Sequence, residues 1–372
     1  MLSTYIDHHN NSQKSFKKIF GFIIREGKTT RRDIQKYTDY SWSSVSSVVS
    51  VLINNGYVYE TDTLNNGVGR SASYIVPNGN KFVCIGLDIN SIGFSLSIIG
   101  VDGSNKYAAT YPYLIQTKQF VMGTIFNAID DALNFINDEY KLVSIGISCQ
   151  GETDASHAFF NRFPFCEDFH NVNLKEIIEE KYGVYTYIEH DTNCILEDYN
   201  YNYGEDNESV CVARIVSGIG FAICINGKSI EKFGSINFGH MIVQPKDSPE
   251  CMCGRHGCLE AYASSTGIVR QAGVKDFSII ECNRDKYRAI LDDAAFYLGV
   301  TLGNIRQIFD LSKIVITGNV IGDDEIFLNK VIETSKNIAS NQVKITYLKD
   351  LNAAYGAARL SLINKVDLKG DI

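Results

Sequence analysis

With 372 residues, 45% of them hydrophobic and 21% charged, the chain is globular in composition and too long for one small core, so two or three domains are expected. No stretch reaches the roughly 20 uncharged apolar residues of a membrane span, and the polar opening Met1 to Asn11 lacks a signal core, which points to the cytoplasm. The net charge of −8 argues against nucleic acid at face value, yet residues 1–80 hold nine Lys/Arg against six Asp/Glu, a net +3, while the rest carries −11.

In chain order, Phe16, Ile19, Phe20 and Ile23 fall at i, i+3, i+4 and i+7, an amphipathic helix that Gly27 ends. Thr30 opens a short second helix through Tyr37, with Ile34 and Tyr37 inward and Arg31, Arg32 and Lys36 outward. Val45, Val48, Val49 and Leu52 repeat the helical pattern in a third helix, which stops at Asn54-Asn55-Gly56. Tyr57 to Glu60, a polar loop with Asn65-Asn66-Gly67, and Ser71 to Val76 read as a β-hairpin. Three helices and a hairpin make a winged helix-turn-helix over residues 1–78, and its expected partner is operator DNA. The third helix would enter the major groove with Trp42, Ser43, Ser44, Ser46 and Ser47, hydroxyls that bond to phosphates or base edges. Trp42 either stacks there or joins the core. Arg31, Arg32 and the wing residue Arg70 are further candidate DNA contacts. The bland alternative is a three-helix interaction domain with a Ser-rich solvated helix.

From Lys81 the pattern changes. Phe82 to Ile89 is an apolar strand with Gly93 to Ile99 as its hairpin partner, and Leu142 to Ser148 and Val184 to Glu189 are further strands. Val210 to Val216 and Phe221 to Ile225 pair around Ser217-Gly218-Ile219-Gly220. Helices are expected at 120–137, 174–181 and about 284–309, so the body is α/β with mixed sheets. No internal repeat is evident, although two lobes of similar plan fit the pattern.

Ten cysteines are scattered along the chain, three of them in a tight cluster, which fits one metal site better than a disulfide scaffold. Cys251, Cys253 and Cys258 form Cys-x-Cys-x4-Cys on a glycine-punctuated loop, and His240 upstream completes a tetrahedral Cys3His set. Zn²⁺ prefers such ligands, and a filled four-ligand shell is structural. His256 competes with His240 for the fourth position.

These residues carry a resemblance. The chain is similar to members of the ROK family (repressors, open reading frames and sugar kinases), especially the repressors that respond to xylose, N-acetylglucosamine or glucose. The matching motifs are Leu87-Asp88-Ile89, Glu189-His190-Asp191, Ser217-Gly218-Ile219-Gly220, Phe238-Gly239-His240, the zinc loop through Glu260, Ile316-Thr317-Gly318-Asn319 and Ala353-Ala354-Tyr355-Gly356-Ala357-Ala358. The resemblance implies a two-lobed actin-like (ribonuclease H-like) body with a sugar or sugar phosphate in the interlobe cleft. The first lobe would cover 79–190 with a C-terminal return at about 350–372. The second would cover 191–349 with the zinc loop at 240–260. Asp191 stands at the kinases' general-base position, and His190 replaces their usual Asn. The implied sugar contacts are His170, His190, Asp191, Asn237, His240 and Glu260, His240 touching zinc with one nitrogen and sugar with the other.

The sequence also departs from the kinases. Asp88-Ile89-Asn90-Ser91-Ile92 lacks the two glycines and threonine of their first phosphate loop. Phe221 falls where the second loop should be bare backbone, and Thr317-Gly318-Asn319 replaces a glycine run. No ATP and no catalytic residue are therefore expected, and the expected function is a sugar-responsive repressor, a homodimer or higher homo-oligomer. A kinase with an appended head is the second reading. Asn237, where the family carries a sugar-binding glutamate, leaves a protein partner as a third.

Overall fold

The computed structural model describes residues 10–61, 73–90, 93–112, 117–154, 158–163, 166–205, 207–230, 237–339 and 343–369. Among them the chain divides into two compact units, residues 1–197 with 353–372, and residues 198–352.

The head opens with α1 (Asn10–Glu26), followed by the short strand β1 (Thr29–Thr30), α2 (Arg31–Thr38) and α3 (Trp42–Asn54). Thr30 and Asp33 form a reciprocal capping box that starts α2, and Ser41 caps α3 by accepting from the Ser44 N–H at 3.2 Å. The core is built from Phe16, Ile19, Phe20, Ile23, Ile34, Val45, Val49 and Leu52, all buried. Two expectations change. Tyr37 is not inward but 52% exposed, lying flat on Phe22 with ring centroids 4.3 Å apart. The inward partner of Ile34 is Thr38, one helical turn on, whose hydroxyl bonds to the Ile34 carbonyl at 2.7 Å. Trp42 is 54% exposed and no part of the core. The wing strands are β2 (Val58–Thr61) and β3 (Tyr74–Pro77), and β1 pairs on the far side of β3, giving a three-stranded sheet where the sequence suggested a hairpin. The wing tip with Arg70 lies outside the described residues.

After the head come β4 (Phe82–Asn90), β5 (Gly93–Gly100), β6 (Asn105–Pro112), α4 (Lys118–Ile136) and β7 (Lys141–Cys149). A small antiparallel sheet of β8 (Glu152–Thr153), β9 (Phe159–Arg162) and β10 (His170–Asn173) follows, then α5 (Leu174–Tyr182), β11 (Tyr185–His190) and α6 (Asp191–Tyr203). Strands β4, β5 and β6 form an antiparallel meander, while β7 and β11 extend the sheet in parallel from β4. Val83, Ile85, Leu87 and Ile89 are buried with Val121, Ile125 and Ile129 of α4, and the residues between them are buried as well, as a sheet covered on both faces requires.

The second unit repeats this plan with β12 (Val210–Ile215), β13 (Ile219–Ile225) and β14 (Lys228–Ser229) as meander. The chain then passes through α7 (Leu259–Ala263), α8 (Ser265–Ala272), α9 (Phe277–Glu281) and α10 (Arg288–Ile308) to β15 (Lys313–Thr317), α11 (Glu325–Ile338) and β16 (Lys344–Tyr347). Both β15 and β16 run parallel to β12, so each five-stranded sheet has a three-strand meander extended by two parallel strands. Phe221, expected to obstruct a phosphate loop, is buried instead on β13 against Phe238, because strand alternation turns its side chain into the core.

The last helix, α12 (Ala353–Lys369), returns to the first unit and packs on β4, β7 and β11. The approach is close because its contact residues have almost no side chain. A Cβ on Gly146 would lie 1.9 Å from the Ala357 carbonyl oxygen, and one on Gly356 only 1.7 Å from that of Cys194. The far end of α12 packs against α1, which explains why α1 buries Gly21 and Ile24 besides its predicted stripe, while Phe22 is covered by Tyr37. No helix among the described residues is long and apolar enough to cross a membrane.

Candidate functional site

In the second unit, His240 ends a single 3-10 turn (Phe238–His240), and the loop behind it is pinned by backbone bonds from Val243 N to Gly257 O (2.8 Å) and Cys251 N to Arg255 O (2.7 Å). Gly257 has φ +77°, and a Cβ there would meet the Gln244 carbonyl oxygen at 1.8 Å, so only glycine fits this fold-back. The result is that one ligand atom from each of His240, Cys251, Cys253 and Cys258 lies within 4.8 Å of the others, a set that can hold a metal ion. His240 Nδ1 is 3.6 Å from Cys251 Sγ, and Cys253 Sγ is 3.7 Å from Cys258 Sγ. His256, the competing ligand, is exposed and turned to the Ser248 carbonyl at 3.1 Å, outside this group.

Burial pushes the Cys251 thiol up, and the neighbouring Glu260 charge adds to it; Cys258 is raised mainly by burial. Burial acts the same way on Cys253, but the Arg255 guanidinium, whose Nε donates to its sulfur at 3.5 Å, helps bring it down to about 7. Three thiols and an imidazole are a soft donor set suited to a tetrahedral cation. Glu260 connects to this cluster, with Oε1 3.8 Å from Cys251 Sγ and Oε2 accepting from the Ile219 N–H at 3.0 Å; burial raises its carboxyl. Asn237 has an exposed side chain, and its carbonyl accepts from His240 N at 3.0 Å.

In the first unit, Asp88, Glu189 and Asp191 are all buried. Ser148 Oγ donates to Asp88 Oδ1 at 2.6 Å, and Asn90 donates to its other oxygen at 3.1 Å. Glu189 accepts from Tyr187 OH (3.0 Å), His190 N (2.8 Å) and Asn193 Nδ2 (3.0 Å). The nearby thiols of Cys149 and Cys194 are pushed up by burial first and then by the charges of all three acids. His190 is partly exposed, with Nδ1 3.1 Å from Asp191 Oδ1 and 3.0 Å from Thr192 Oγ1. Carboxylates held in this way accept hydrogen bonds from hydroxyl groups. His170 is exposed on β10, bonded to the Glu167 carbonyl at 3.0 Å rather than to this network. Sequence reasoning passed over Ser148 and Asn193. Nothing in their spacing marks them, since β7 and α6 bring them to the acids only through the fold.

On the head, Trp42, Ser43, Ser44 and Ser47 are exposed along the first turns of α3, with Ser46 half-buried. Arg32 and Lys36 are exposed on α2, whereas Arg31 is ion-paired to Glu60 of β2. Helix α3 carries no charged side chain over its whole length.

Comparison with known proteins places these features. The profile described as ROK family matches residues 84–362. The xylose repressor of Bacillus spizizenii is 24% identical over 333 residues, 83% of each chain. The glucokinase of Thermotoga maritima is 26% identical, but over 193 residues, 51% of this chain and 60% of its own. Among solved structures, a ROK family transcriptional regulator described as a homologue of the Escherichia coli MLC protein superposes with a TM-score of 0.78 at 17% identity, covering 97% of this chain and 98% of its own. That likeness shows the fold of head and body alike.

Proposed function

This chain belongs to the ROK family, and on that premise we propose that it is a DNA-binding transcriptional repressor whose operator affinity is set by a sugar or sugar phosphate. The observation that carries this is a winged-helix head joined to a ROK body, a span over which the kinase likeness does not extend. In this reading residues 1–78 bind DNA through Trp42, Ser43, Ser44, Ser46 and Ser47, with Arg31, Arg32 and Arg70 on phosphates. Residues 79–190 with about 350–372, and 191–349, form the effector-binding body. The candidate contacts to sugar hydroxyls are His170, His190, Asp191, Asn237, His240 and Glu260. His240, Cys251, Cys253 and Cys258 hold one structural Zn²⁺, which fixes the loop leading into α7 and its Glu260. A homodimer then reads a two-fold operator.

The test is to titrate pentoses, hexoses, N-acetyl sugars and their phosphates against an operator-bound complex. Asp191→Asn should abolish most of the response and leave operator affinity near wild type. A variant that responds as wild type does would remove Asp191 from the effector site. The buried trio Asp88, Glu189 and Asp191 favours a second reading, a sugar kinase. Coupled ADP-release assays across the same panel decide it, and turnover at ordinary kinase rates, about 1–100 s⁻¹, would overturn the repressor reading.

A further inference from the structure

Arg359 is 1% exposed in the middle of α12. Its Nε donates to Glu197 Oε1 at 3.0 Å, and its Nη2 reaches the backbone carbonyl of Arg25 at 3.4 Å. Arg25 lies in the last turn of α1, where carbonyls have no partner within the helix. Its own side chain pairs with Asp367, eight residues further along α12, and Gly21 leaves room for that carboxylate: a Cβ there would lie 3.0 Å from Asp367 Oδ1. Glu197 stands on α6, the helix that begins at Asp191. One buried guanidinium therefore joins α1 of the head, α6 and α12. A charge so enclosed is tolerated only while its partners hold their places. A shift of α6 that carries Glu197 must either carry α1 with it or leave the guanidinium uncompensated.

We propose that Arg359 is a positioning residue that ties the DNA-binding head to α6, so that events at Asp191 are felt at the end of α1. The functional part rests on the repressor reading; the mechanical part does not. The test uses the full-length chain. Hydrogen–deuterium exchange is measured on wild type, Glu197→Gln, Arg359→Met and Arg359→Lys, alongside affinity for an operator recovered from random DNA. Glu197→Gln and Arg359→Met should speed exchange at residues 22–27 by about 10-fold, leaving β4 and β7 as in wild type. Both should alter operator affinity by about 5- to 20-fold although no DNA-facing residue changes. Arg359→Lys, which keeps the charge, should recover part of each effect. If Arg359→Met does not fold, Asp367→Asn at the exposed end of the same junction gives the exchange readout. Wild-type exchange at residues 22–27 in Glu197→Gln, with any increase confined to α6 and α12, overturns the proposal. Wild type that selects no DNA would sink the repressor reading, while the exchange result still decides the junction.

Discussion

At Asp324, one carboxylate serves two guanidiniums and a helix start. It accepts from Arg284 at 3.1 Å, Arg288 at 3.0 Å and the Phe327 N–H at 3.0 Å, capping α11. Burial would raise its pKa, but the Phe327 N–H and the two arginines outweigh that and hold the carboxyl below the usual range. A folded-state pKa lowered in this way contributes stability that is complete above the unfolded value near 3.9 and is lost as pH falls through the folded one. Asp324→Asn should therefore lower stability at pH 7 by about 2–4 kcal/mol and flatten the acid decline between about pH 5 and 3. Urea unfolding of both proteins across that range checks it; curves that stay parallel would refute the assignment. None of this was visible in the sequence, since Arg284 and Asp324 are forty positions apart. The metal ligands were visible because Cys251, Cys253 and Cys258 sit on one short loop, where covalent spacing alone brings thiols together.

The long helix Arg288–Ile308 was legible because its apolar residues recur on one buried face, and the strand at Phe82 to Ile89 because it is an unbroken apolar run, buried on both faces. What periodicity missed were faces covered by distant chain. Helix α1 reads as a single stripe, yet Gly21 and Ile24 are buried because α12 returns to meet it. The strand at Thr29–Thr30 was missed because two residues carry no period. Glycines separate the two kinds of contact. Gly146 faces a carbonyl 1.9 Å from where a Cβ would lie, whereas Gly123 on α4 has nothing within 4 Å. Gly146→Ala should cost about 1–3 kcal/mol by overpacking the α12 contact. Gly123→Ala should instead add about 0.5–1 kcal/mol through helix propensity. Denaturant midpoints of the two variants give the comparison, and equal shifts would show that α12 does not press on β7 as described.

At the scale of the molecule, the two five-stranded sheets share one strand plan; the family resemblance implied two lobes, but no residue repeat showed it, because hydrogen-bond topology imposes no residue identity on either sheet. The metal loop belongs wholly to the second unit. Removing the ion with a chelator under reducing conditions should therefore lower that unit's unfolding transition by several degrees and leave the other's in place. Calorimetry with metal analysis reads this; purified protein holding far less than one equivalent would count against the site. The return of α12 also sets an order on synthesis. The first unit lacks the helix that fills its sheet until all of residues 198–352 have left the ribosome, on the order of ten seconds later. During that interval α1 has no α12 to dock on, while the second unit can already close its own sheet. A nascent chain that stalls before Ala353 thus carries a head whose first helix lacks the face it lies on in the finished protein, so that contact is reserved for chains translated through α12.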